Sequence, residues 1–205
     1  MSKRMNNIRN IILTVMIVIL SALSVTACGE KEITGVTGKT LSKEGALEAV
    51  IVTDFDENLY SVTELEEMMT KEISEYSRVP GNNDAVKIES VKCEDGVLTA
   101  VMGYASVADY AAFNRRTLTV ESFDKAIADG DIKVSLHDVN DGAAVEVKAL
   151  TDTDKLDMLI TDETGYITLP GKVKYLSSGV ENVTAKQVNV TEEMDGLAYI
   201  VYSRK

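Results

Sequence analysis

From Ile132 to the C-terminus, turn sequences cut the chain into short apolar runs, and this punctuation constrains the fold more than any other feature. The turns are Asn140-Asp141-Gly142, Glu163-Thr164-Gly165, Pro170-Gly171, Ser178-Gly179 and Asp195-Gly196. Glycine enters left-handed backbone conformations at no steric cost, and Asn and Asp hydrogen-bond back to their own backbone, so these sequences reverse the chain. Between them lie residues 132–136, 144–149, 156–161, 166–169, 173–176, 185–190 and 197–202, each of strand length and rich in β-branched or aromatic residues. Evenly spaced short strands with tight turns predict an antiparallel C-terminal β-meander. The chain ends in one of its most apolar runs, so that strand is expected in the core.

The first half reads differently. Residues 47–55 are apolar and β-branched and predict a strand. Ser61 and Glu64 then form an S-x-x-E capping box, in which hydroxyl and carboxylate satisfy free N–H groups at a helix start. Val62, Leu65, Met69, Ile73 and Tyr76 follow at helical spacing as one apolar stripe, and Pro80-Gly81 ends the pattern. Such a stripe is expected to pack on a sheet. Residues 85–93 and 97–104 flank Asp95-Gly96, the signature of a two-residue hairpin. Short helices are predicted at residues 107–114 and 122–128, with a strand at 117–120 between them. The sum is an α+β fold, with helices mainly in the first half packed on an antiparallel sheet.

The N-terminus has another character. Lys3, Arg4 and Arg9 precede any acidic residue, an apolar run extends from Ile11 to Leu23, and Val25-Thr26-Ala27-Cys28 follows. Positive charge, a short apolar stretch and small residues make the layout of a cleavable secretory signal. At 17 residues, 11–27 lies at the short limit for a permanent membrane span. The segment Val25-Thr26-Ala27-Cys28 resembles the lipobox of bacterial lipoproteins, with valine where leucine is commoner. The resemblance covers about the first 30 residues and implies cleavage before Cys28, a diacylglyceryl group on its sulfur, and acyl chains such as palmitate holding the protein on the outer face of the membrane. Two chains suffice for stable attachment. The expected organisation is a signal peptide at 1–27, a lipidated Cys28 and flexible polar tether at 28–45, and a soluble acidic domain at 46–205. In layout this is similar to small lipoproteins of Gram-positive bacteria.

Charge and cysteine content narrow the function. Of 21 Lys and Arg, three lie in the signal, which holds none of the 33 Asp and Glu, so the mature chain carries a net charge of −15. Such a surface is repelled by phosphate backbones, and nucleic acid is excluded as a partner. With Cys28 lipidated, Cys93 is the one remaining thiol and no internal disulfide can form.

No residue set stands out as catalytic, cofactor-binding or metal-binding. A single histidine, His137, and a single free thiol exclude the common zinc clusters. Asp152, Asp154 and Glu163 fit positions 1, 3 and 12 of an EF-hand loop, but Asp157 stands where glycine is needed and an apolar run follows. Gly35-Val36-Thr37-Gly38-Lys39-Thr40 lacks the first glycine of a phosphate-binding loop, because position 33 is Ile33. Pairings of Cys93 or Ser178 with His137 have no local support. Arg115-Arg116, the one basic doublet of the acidic domain, is expected to neutralise the chain's own carboxylates. The expected function is therefore a non-enzymatic interaction or scaffold module, held by its diacylglyceryl anchor and engaging an envelope protein. A receptor for a small ligand or cation and an exported hydrolase using carboxylates are the alternatives.

Overall fold

The Asp95-Gly96 turn builds a hairpin at one end of the larger of two sheets. Both residues take positive φ, 52° and 78°, which matches the twist of the flanking strands. The computed structural model describes residues 35–79 and 81–204. In chain order its strands are β1 (Gly38–Leu41), β2 (Leu47–Asp54), β3 (Val86–Glu94), β4 (Val97–Tyr104), β5 (Leu118–Ser122) and β6 (Leu136–Asp138), followed by β7 (Leu156–Thr161), β8 (Gly165–Thr168), β9 (Val173–Ser177), β10 (Val180–Asn182), β11 (Gln187–Val190) and β12 (Ala198–Ser203). The helices among the described residues are α1 (Val62–Ser77), α2 (Val107–Asn114) and α3 (Phe123–Asp129).

The serine half of the capping box expected at Ser61 is formed, and a second serine cap starts α2. Ser61 Oγ accepts from Glu64 N at 3.3 Å to start α1. Ser106 does the same for Asp109 at 3.1 Å, and the Asp109 carboxylate accepts from the serine hydroxyl at 2.6 Å to start α2. Each satisfies an N–H that the first helical turn leaves free. Gly130, at φ 74°, ends α3.

The strands form two sheets. One has seven strands in the order β10-β11-β8-β1-β2-β4-β3, and the other has five in the order β5-β7-β12-β9-β6. Every pairing is antiparallel except that of β1 with β8. The sheets pack face to face. Leu47, Met102, Ile167 and Val188 from the first meet Leu118, Leu159, Ile200 and Leu176 from the second in one core. The opposite face of the five-stranded sheet presents Met158, Tyr199 and Val201 to Phe123 and Ala126 of α3. β12 is therefore buried on both sides, which explains its unbroken apolar sequence. The Met69, Ile73 and Tyr76 stripe of α1 packs on the edge of the first core, and no residue of α1 is fully buried.

Several expectations need correction. The C-terminal strands are not a meander: β7, β9 and β12 belong to the five-stranded sheet, and β8, β10 and β11 to the other. Turn sequences mark reversals but do not say which sheet the chain returns to. Pro170-Gly171 carries it from one sheet to the other, with Gly171 so close to the Ser203 carbonyl that a Cβ would overlap it. Residues 132–135 are not strand. Ile132 and Val134 do face the second core, so their alternation reports a buried face without a hydrogen-bonded neighbour. Residues 144–149 form an isolated bridge at Ala144 and a 3-10 turn at Val147–Ala149. The helices are not concentrated in the first half, since α2 begins at Val107 and α3 at Phe123. Finally, the polar stretch expected to be tether as far as residue 45 includes β1, which lies inside the seven-stranded sheet between β2 and β8.

Candidate functional site

Strand register places Lys39 of β1 opposite Ala49 and Ile167, so its side chain points between the sheets. A lone ammonium there would be costly. It is met by Glu163, in the turn from β7 to β8, with Lys39 Nζ 3.4 Å from Glu163 Oε2 and the two side chains only 10% and 11% exposed. Glu163 collects further donors. The Tyr110 hydroxyl donates to its carboxylate at 2.9 and 3.1 Å, and Arg116 Nε lies 3.8 Å away. Lys39 Nζ also sits 5.6 Å from the Tyr110 ring centroid, within cation–π range.

The supporting shell comes from α2 and β4. Tyr104 and Tyr110 meet edge to face at 4.9 Å. Asn114 Nδ2 donates to the Tyr104 hydroxyl at 3.2 Å and to the Tyr110 carbonyl at 2.9 Å. Arg116 is placed by the end of α2, where Arg115 takes a left-handed conformation (φ 55°) and Arg116 N donates to Ala111 O. Burial, with the Glu163 charge adding to it, pushes the Tyr110 hydroxyl well above the usual phenol range. Burial pushes Tyr104 up to about 12. Both phenols therefore keep their protons near neutral pH. The cluster, two cations facing one carboxylate, is a knot joining β1, α2 and the β7–β8 turn. The simpler role expected for the basic doublet holds for Arg116, while Arg115 is exposed.

The other candidate residues are dispersed. Cys28 lies outside the described residues. Cys93, on β3, is half-buried, and its thiol is raised by desolvation first and by nearby Glu57 second, which is the opposite of nucleophile activation. His137 is on β6 of the other sheet, with Nδ1 3.3 Å from the Gly142 carbonyl. Ser178 makes no hydrogen bond to it among the described residues, and the buried hydroxyl of neighbouring Ser177 accepts from Tyr199 N at 3.0 Å. The acids of the EF-hand-like window are drawn apart: Asp152 pairs with Lys155, Asp157 with Arg204 and Glu163 with Lys39. The window cannot curl around an ion because β7 runs straight through it.

Two surface features remain. A depression of about 250 Å³ crosses the outer face of β1 between Val50 and Tyr166. A larger open groove, about 670 Å³, runs along α1 with Ile88 of β3 at its base, and Thr63, Glu66, Thr70 and Ser74 line its helical wall. Sequence reading missed the groove because its helical wall is polar, and missed Lys39 because β1 carries only one large apolar residue, Leu41. The sequence signals for the knot were Glu163, an acid inside a turn between two apolar runs, and the basic doublet that contains Arg116. No family model, curated protein or solved structure matches this chain.

Proposed function

We propose that this protein is a lipid-anchored cell-envelope component whose folded domain works as a non-enzymatic interaction or scaffold module outside the membrane. The observation that carries the reading is the ordered N-terminal sequence: early positive charge, a short apolar run, then Val25-Thr26-Ala27-Cys28. No described helix is long and apolar enough to cross a membrane, which is compatible with attachment through lipid. The acids and the histidine of the domain are spread over ion pairs and turns, an arrangement that favours a binding surface over a reaction centre.

The position of β1 gives the proposal a dimension. Nine residues, and so ten Cα-to-Cα steps, separate Cys28 from Gly38, where β1 begins. At full extension they span at most about 35 Å, so the domain is held near the membrane surface while its net charge of −15 keeps it off anionic head groups. The test is crosslinking in intact cells followed by affinity isolation, comparing wild type with Cys28→Ala. A specific envelope protein recovered with wild type and lost in the variant supports an anchored module. Recovery of the same partner from both would show that the anchor does not bring them together.

A further inference from the structure

Among the described residues, the longest strand edge that the sheets leave unpaired belongs to β3. It has nine residues and pairs on one side only, with β4. The other sheet ends are β10 and β6, of three residues each, and β5, of five. α1 runs beside the β3 edge, and the groove between them is open. The helix is strongly acidic: Glu64, Glu66, Glu67, Glu72 and Glu75 stand against Lys71 and the capping Arg78. The charges of β3 itself cancel, with Lys87 and Lys92 against Glu89 and Glu94.

An unpaired edge is a template for another strand, and folds that do not use one shorten it or cover it. Here two other ends are shortened and β3 is left long. Strand addition beside a helix draws backbone hydrogen bonds from the edge and selectivity from alternate side chains, which project toward the helix. We propose that the groove between α1 and β3 binds an extended polypeptide segment with Lys or Arg at alternate positions, which adds to β3 as an eighth strand of the sheet. Charge selects the occupant. The helical wall of the groove carries Glu66, Glu67 and Glu75 against Lys71 and Arg78, so groove-side residues of the added strand meet a net acidic wall, whereas a second copy of this chain would bring a second acidic α1 against the first. A bulge between Ile88 and Ser90 breaks the register of β3 into two short regular stretches, residues 86–88 and 90–94, and limits open-ended edge association. This inference rests on the reading of the domain as an interaction module and names the chemistry of its partner.

The test uses the full chain in detergent and three fluorescent octapeptides: alternating Lys-Thr, alternating Glu-Thr, and the Lys-Thr peptide N-methylated at every second backbone nitrogen. Fluorescence anisotropy at about 0.15 M salt reads specific association over diffuse attraction. The Lys-Thr peptide is expected to bind saturably, and the Glu-Thr and methylated peptides roughly tenfold more weakly. Glu66→Lys with Glu67→Lys is expected to weaken binding by a similar factor. Glu192→Lys with Glu193→Lys, the same charge change on a distant exposed segment, leaves it within roughly twofold. Equal loss in both double variants would reduce the effect to overall charge and overturn the proposal, as would equal binding of the methylated peptide. A peptide-free dimer with residues 90–94 protected from hydrogen exchange would overturn it by giving the edge to a second copy. Cys28→Ala is expected to bind the peptide like wild type, so failure of the anchor and failure of the groove are read separately.

Discussion

Glu163 is almost fully enclosed and accepts from Tyr110 while facing Lys39 and Arg116. Removing one member of such a knot leaves the others desolvated and unpaired, which costs more than the pairing contributes. Glu163→Ala is therefore expected to lower unfolding free energy by roughly 3 kcal/mol in urea titration. The double replacement Lys39→Met with Glu163→Met is expected to recover part of that loss, since no charge is then buried without a counterpart except the partly exposed Arg116. The phenols give a pH signature. A tyrosine whose pKa is raised on folding binds its proton more tightly in the native state, so its contribution is intact below pH 10 and is lost as pH rises through the folded value. With Tyr104 at about 12 and Tyr110 also raised, stability should fall above pH 10, and absorbance titration should show at least two tyrosines ionising late or only on unfolding. Tyr104→Phe should flatten that alkaline decline. Arg115, non-glycine and left-handed, carries backbone strain. Arg115→Gly is expected to raise stability by about 0.5 kcal/mol, read as a higher urea midpoint.

Among the elements, β1 and the pair β8 and β9 separate what the sequence discloses from what it does not. α1, α2, the β3–β4 hairpin and β7 were legible because local physics determines them: a serine cap with an apolar stripe, a turn with two positive φ values, an apolar run between turns. β1 was not legible. Gly38-Lys39-Thr40-Leu41 has no strand periodicity and becomes a strand because β2 and β8 offer it backbone partners on both sides. β8 and β9 were legible as strands but not as members of different sheets, because that choice rests on which faces are buried together and not on the turn between them. The knot was half legible, since its acid and arginine are conspicuous but the lysine opposite them depends on β1 being a strand. The crossing at Pro170-Gly171 is correspondingly intolerant. Gly171→Ala would push a methyl group into the Ser203 carbonyl, so it should destabilise the domain by roughly 2 kcal/mol or more and reduce its soluble yield.

For the whole molecule, two sheets share a core, α3 covers the far face of the five-stranded sheet, and the sequence running from Cys28 to the first strand is short. We propose that the acidic surface, the short reach from Cys28 and the unpaired β3 edge present the domain at a membrane to partners of opposite charge. The membrane placement in this proposal depends on Cys28 becoming the mature N-terminus, whereas the β3 edge does not. The most direct test is intact and N-terminal peptide mass spectrometry of the protein purified from membranes of a lipoprotein-processing bacterium. The account predicts a chain beginning at Cys28 with the added mass of a diacylglyceryl group, and its absence in Cys28→Ala. A chain that keeps residues 1–27, or that begins at an unmodified Cys28, would contradict it.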